Sequence, residues 1–182
     1  MRTLSLLHLG LLLGLGGTSS LAAEDSLPFR DNFTGRLGAG WTWVREHKAA
    51  WRTRDQGLEV RVEPGNMWGS QNNAQNVLTR LVPDTGKDGL RISVTVSNRP
   101  TSQYEQVDLV WYYDDSNMVK LGQELVDGKL SIVMGREEKD KTRTIAIVPL
   151  QADTVRLRLV TPRVTIHGEL RPDDSGTWSP VG

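Results

Sequence analysis

The chain has 182 residues, with 22 Lys and Arg balanced by 22 Asp and Glu, and no cysteine. That length is one domain's worth and buries a core without disulfide staples. With acids and bases interspersed, no basic stripe of the kind nucleic-acid binding needs is visible, so nucleic acid is excluded as a partner.

The N-terminus reads as a secretory signal peptide over residues 1–23. Met1-Arg2 gives a positive start, Leu4 to Leu15 is apolar, and Leu21-Ala22-Ala23 supplies small residues for cleavage before Glu24-Asp25. The stretch is too short and wrongly flanked for a spanning helix, and no other segment is apolar enough to cross a bilayer. A secreted or periplasmic domain over 24–182, with no membrane contact after cleavage, is the expectation.

Beyond the N-terminal segment Pro28 to Phe33, strand signals recur at short spacing near 41–46, 50–54, 58–63, 76–82, 89–98, 105–113, 117–126, 129–136, 142–148, 153–161 and 163–170. Turn chemistry separates them, as at Asp55-Gln56-Gly57, Pro64-Gly65-Asn66 and Asn98-Arg99-Pro100. Helical periodicity is almost absent. Many short, punctuated strands predict an all-β sandwich or barrel. Gly69 to Asn73 marks a longer loop, and Trp68 beside it is placed to touch a ligand. Trp41, Trp43, Trp51 and Trp111 sit on strands whose alternation points inward and are expected in the core, with Trp178 packing the C-terminal turn.

The most informative run is Gln106 to Arg136. Val107, Leu109, Trp111 and Tyr113 alternate with Gln106, Asp108, Val110 and Tyr112; Val119, Leu121 and Leu125 alternate with Lys120, Gly122 and Glu124. Period two sends one row to a core and the other to solvent or a ligand. Asp127-Gly128 is a type I′ turn signal, since both central positions need positive φ. A two-residue loop there pairs Val126 with Lys129, Glu124 with Ser131 and Leu121 with Met134. The Asp114 to Asn117 turn must hold an odd number of loop residues; three set Gln106 opposite Glu124, and five set Asp108 there. Either way one face collects Gln106, Asp108, Tyr112, Lys120, Glu124 and Ser131 above the bare backbones of Gly122 and Gly135. That is a polar depression rimmed by hydrogen-bonding groups.

Trp41-Thr42-Trp43-Val44-Arg45-Glu46, Gly57-Leu58-Glu59-Val60, Tyr104 to Leu109, Val119-Lys120-Leu121, Val155 to Leu159 and the ending Val164 to Arg171 with Gly176-Thr177-Trp178 together carry a resemblance. Their order and spacing resemble the concanavalin A-like β-sandwich at the C-terminus of glycoside hydrolase family 43 β-xylosidases, and the related stand-alone domain of unknown function 1349. The resemblance implies a two-sheet antiparallel jelly-roll sandwich whose theme is carbohydrate contact, with Gln106, Lys120 and Glu124 at the polar positions of the matching strands. Two departures stand out. Asp108 occupies a place where relatives have a small Gly, which narrows or recharges the depression. Relatives also continue past the Trp-containing ending, where this sequence reaches Gly182, implying a shortened fold or a less covered Phe29 to Phe33 strand.

The expected ligand is an oligo- or polysaccharide held by Gln106, Asp108, Lys120 and Glu124, with Tyr112 or Trp68 as stacking surface. The bland alternative is a solvated sheet in a structural or protein-interaction domain. Glycoside hydrolysis needs two carboxylates flanking the bond, and Asp108 with Glu124 is the pair available. Lys120 beside them is expected to hold both ionised, which does not suit a general acid, so no catalytic residue is assigned. His47 and His167 without Cys give no zinc spacing, and Asp114-Asp115-Ser116-Asn117 is a polar hairpin tip rather than a calcium loop. No metal or cofactor is expected. The mixed-sign run Arg136 to Arg143 reads as a solvated turn.

Overall fold

The computed structural model describes residues 29–55, 57–82, 89–162, 165–172 and 176–182. The expected signal peptide lies outside the described residues. Among the described residues turn chemistry and alternation produce twelve strands: β1 Trp41–Val44, β2 Trp51–Arg54, β3 Gly57–Val60, β4 Val77–Arg80, β5 Leu90–Ser97, β6 Gln106–Asp114, β7 Asn117–Val126, β8 Lys129–Glu138, β9 Lys141–Pro149, β10 Thr154–Thr161, β11 His167–Arg171 and β12 Ser179–Pro180. Among the described residues a single 3-10 turn, Lys48–Ala50, precedes β2.

Two four-stranded antiparallel sheets, ordered β6-β7-β8-β9 and β12-β11-β10-β5, form the sandwich, with two-stranded β1-β4 and β2-β3 sheets beside them. Leu121, Val119, Ile132 and Met134 from the first sheet meet Val96, Val155, Leu157, Leu159 and Leu170 from the second in one buried cluster. Each such aliphatic side chain contributes about 1.5–3 kcal/mol by leaving water. Fold class and strand order agree with the alternation, and no helix among the described residues is long and apolar enough to cross a membrane.

The register follows the turns. Asp127 and Gly128 both have positive φ, 50° and 71°, and Val126 pairs with Lys129, Glu124 with Ser131 and Leu121 with Met134. At the other end Tyr112 pairs with Met118 and Asp114 with Asn117, so a bulge at Tyr113 supplies the odd residue and sets Gln106 opposite Glu124. Asp114 caps this hairpin tip, accepting from Ser116 N and Asn117 Nδ2 at 2.8 Å each.

Several expectations need correction. Residues 29–33 form no strand; Asp31 instead gathers a loop. The run Arg136 to Arg143 is solvated as expected except at Glu137, which is only 2% exposed, but the turn itself is confined to Lys139-Asp140, because β8 continues to Glu138 and β9 begins at Lys141. Of the four tryptophans expected inside, Trp111 packs against the core cluster. Trp43 and Trp51 are half-buried and pack on each other, centroids 4.8 Å apart. Trp41 packs on Phe33 at 6.0 Å and donates its indole N–H to Asp31. Trp178 lies against the Arg158 guanidinium at 3.9 Å.

Candidate functional site

The face of the β6–β9 sheet that points away from the core carries the predicted residues. Strand parity puts Gln106, Asp108 and Tyr112 on it from β6, Lys120, Gly122 and Glu124 from β7, and Ser131, Gly135 and Glu137 from β8. Gln106, Lys120 and Glu124 meet directly. Lys120 Nζ donates to Gln106 Oε1 at 2.5 Å and to Glu124 Oε2 at 3.0 Å. Lys120 and Glu124 are one strand repeat either side of Gly122, whose missing side chain leaves the space they bridge.

Asp108, directly opposite Gly122, leans its carboxylate over that same glycine, so any Cβ at 122 would collide with Asp108 Oδ1. The residue is half-buried, yet Oδ1 itself is sealed from solvent and has no hydrogen-bond partner. Burial pushes the Asp108 carboxyl above its ordinary range; Lys120 pulls it down and Glu124 pushes it further up. This corrects the expectation that Lys120 keeps both carboxylates ionised: for Asp108, desolvation outweighs the ammonium.

The depression is not open. A loop over residues 61–76 brings Trp68 down onto Gly135, where a Cβ would come within 2.5 Å of Trp68 Cη2. Lys120 Nζ lies 4.9 Å from the indole centroid, within cation–π range. Asn66 holds this loop, accepting from Trp68 N at 2.8 Å and donating to Trp68 O at 2.9 Å. Gly69, at φ +79°, turns its N–H to Glu137 Oε2 at 2.9 Å. As a result Lys120 and Glu124 are only 4% and 7% exposed. Trp68 is therefore a cover first, with part of its surface left to solvent.

Tyr112 does not join the cluster. Its hydroxyl donates to Asp115 Oδ1 at 2.8 Å, and Arg45 Nη1 grips both Asp115 oxygens at 2.9 and 2.8 Å. Burial, with the bond to Asp115, pushes the Tyr112 hydroxyl up to about 12. Arg45 also donates to Ala74 O at 2.7 Å, so this group anchors the covering loop to the β6–β7 turn. Sequence reasoning missed Glu137, Arg45 and Asp115 as parts of the arrangement. Only Glu137 carried a signal, since it has the same parity as Gly135. Gln123, fully buried on the core side, was also missed; its amide nitrogen donates to Ala152 O at 3.3 Å and Asp153 O at 2.9 Å.

Chemically, the face offers a fixed ammonium, an amide, three carboxylates (Asp108, Glu124 and Glu137) in contrasting environments and an aromatic cover. Lys120 Nζ stands against Glu124, 3.0 Å from Oε2.

Comparison with known proteins identifies the family and the fold. The family of β-xylosidase C-terminal concanavalin A-like domains matches residues 30–182. Among curated proteins, none matches the chain. Similar solved structures include the glycoside hydrolase family 43 protein BlXynB from Bacillus licheniformis, at 18% identity and TM-score 0.74, covering 86% of this chain and 32% of that one. A xyloglucan-locus family 43 protein of Bacteroides ovatus matches at 22% identity and TM-score 0.72, covering 86% and 31%. A xylan β-1,4-xylosidase from Bacillus halodurans matches at 18% and 0.70, covering 86% and 32%. The chain thus spans about a third of the length of these neighbours, and at such identities the likeness is one of fold.

Proposed function

This chain belongs to the family of β-xylosidase C-terminal concanavalin A-like domains, and on that premise we propose that it is a secreted, non-catalytic module that holds an oligo- or polysaccharide against the polar face of the β6–β9 sheet. The observation that carries the reading is Trp68 laid on Gly135 beside Lys120, Gln106 and Glu124. An aromatic surface next to fixed hydrogen-bonding groups suits the C–H faces and hydroxyls of a pyranose. Gln106 and the outer part of Trp68 are the accessible contacts; Lys120 and Glu124 stand behind them and fix the Gln106 amide. Asp108 Oδ1, sealed from solvent and without a protein partner, stands behind the same patch and is not an accessible contact. Secretion is supported by the charge, apolar and small-residue pattern of residues 1–23.

Cleavage has less support. A hydrolase needs a sugar bond between its two carboxylates, whereas here Glu124 is bound to Lys120 and Asp108 is pressed onto Gly122. A second reading, a structural or protein-interaction domain, is favoured by one observation: the Lys120 cluster is largely satisfied from within and lies beneath its own cover.

Titration of the mature chain with xylan, arabinan and β-glucan oligomers, followed by tryptophan fluorescence, separates these. Binding by a neutral oligomer, weakened about tenfold by Gln106→Leu, supports the sheet-face site. Affinity untouched by both Gln106→Leu and Trp68→Phe moves the site elsewhere. Absence of any hit with a folded protein favours the interaction domain, and release of reducing ends favours the hydrolase.

A further inference from the structure

A second concavity lies away from the sheet face, between the N-terminal loop and β2. It is an open bowl of about 390 Å³ lined by Arg36, Leu37, Lys48, Trp51, Arg52 and Thr53 among its residues. Three of these side chains are cationic and no carboxylate is among the lining residues, although Glu46 Oε1 accepts from the Trp51 indole N–H at 3.0 Å. Arg52 pairs with Glu59 at 2.5 Å, both side chains more than half exposed; among the described residues Arg36 and Lys48 have no carboxylate partner. Lys48 Nζ is seated over the Trp51 ring at 3.4 Å from its centroid, and Trp43 packs against the same indole at 4.8 Å. The Lys48 charge is therefore fixed in place instead of waving in solvent.

The wall carrying Arg36 is equally fixed. The Asp31 carboxylate accepts from Phe33 N at 2.7 Å and from Gly38 N and Trp41 Nε1 at 2.8 Å each, closing residues 31–41 into a loop. Arg80 donates to Ala39 O and braces the far side. Between Lys48 and Trp51 in the chain, Ala50 is buried and its carbonyl accepts from Arg61 N at 2.7 Å. Both cation-bearing segments are thus preorganised, which lowers the entropic cost of gripping a ligand.

We propose that this bowl binds an acidic saccharide, a uronic-acid residue whose carboxylate is held among Arg36, Lys48 and Arg52 while its ring rests on Leu37 and the exposed part of Trp51. The volume suits a sugar ring and far exceeds a single inorganic anion, and Leu37 with Trp51 gives the apolar wall that an inorganic anion does not use. Guanidinium groups favour carboxylates through paired N–H donors. The bowl shares no lining residue with the sheet face.

Calorimetric titration of the mature chain with trigalacturonate, with glucuronate-substituted xylotriose and with plain xylotriose tests this. The expected result is binding of at least one acidic oligomer, weakened by salt, with plain xylotriose at least tenfold weaker at this site. Arg36→Gln and Lys48→Gln should each reduce acidic-oligomer affinity about tenfold without moving the unfolding midpoint, since both side chains are exposed. Gln106→Leu should leave it unchanged, which separates this bowl from the sheet-face site. Failure of both acidic oligomers to bind, equal affinity for plain xylotriose, full retention in the Arg36→Gln/Lys48→Gln double variant, or displacement by equimolar sulfate would each overturn the proposal.

Discussion

Asp108, on strand β6 at the edge of the β6–β9 sheet, and Asp31, in the N-terminal loop, are both half-buried aspartates. Their surroundings push them in opposite directions. Around Asp108 burial dominates and raises the carboxyl, with one oxygen left without a donor. At Asp31 desolvation also pushes upward, but bonds from Phe33, Gly38 and Trp41 with the Arg80 charge bring it below the ordinary range. Ion pairs show the same contrast: Lys120–Glu124 has side chains 5% and 9% exposed, Arg52–Glu59 64% and 52%. The lesson is that local donors, and not residue type, decide whether a charge orders its neighbourhood or burdens it.

Removing Lys120 should have the largest effect. Lys120→Met leaves Glu124 and Gln106 facing each other under cover without their shared donor, and a loss of about 3–5 kcal/mol in urea unfolding is expected. A Lys120→Met/Glu124→Leu double variant should recover a good part of it; a single variant as stable as the parent would mean the buried pair contributes no coupling. Next comes Gly135→Ala, whose methyl has to displace Trp68. A destabilisation of about 1–3 kcal/mol is expected, with a shift in tryptophan emission as the cover lifts, and unchanged emission would argue against the packing.

The pH response sharpens the comparison further. A carboxyl raised in the folded state binds its proton more tightly there, so the Asp108 contribution weakens stability as pH rises from the unfolded value of 3.8 through the raised folded one. Asp108→Asn should therefore stabilise the chain at neutral pH and flatten that slope. Asp31 has the opposite sign. Its contribution is present above 3.8 and is lost as pH falls through the lowered folded value. Asp31→Ala should cost about 1–2 kcal/mol at neutral pH through its lost hydrogen bonds, with pH-dependent thermal unfolding as the readout. Smallest of all, a double-mutant cycle on Arg52 and Glu59 should give a coupling of under about 1 kcal/mol that disappears in high salt.

Much of this was legible from local pattern. Alternation through Gln106 to Tyr113 and Lys120 to Leu125 identified the two faces, and Asp127-Gly128 set the β7–β8 register. The odd-residue requirement at the Asp114 turn was met by a bulge at Tyr113. Gln106, Lys120 and Glu124 were brought together by that register alone. What alternation could not convey is what lies on top of a face. Trp68 reaches Gly135 from 67 positions upstream, and Arg45 reaches Asp115 from 70, distances over which no periodicity operates. Tyr112 shares the predicted face but is drawn off to Asp115. The Asp108 carboxyl was misjudged for the same reason: its nearest charge was visible in the sequence, but its desolvation depends on tertiary packing that alternation does not convey.

The order of strands has a consequence for how the chain reaches this state. β6 to β9 follow one another through tight turns and pair in sequence order, whereas β5 pairs with β10, Ser97 to Thr154, across the whole of that meander. Closing so long a loop is slow, while hairpins close in microseconds. One wall of the sandwich can therefore assemble early and must wait, its Leu121 and Ile132 side uncovered, for β10 to return to β5. Pulsed hydrogen exchange during refolding should protect β7 and β8 amides before those of β5 and β10; simultaneous protection would mean that the meander has no independent persistence and that both walls form in one step.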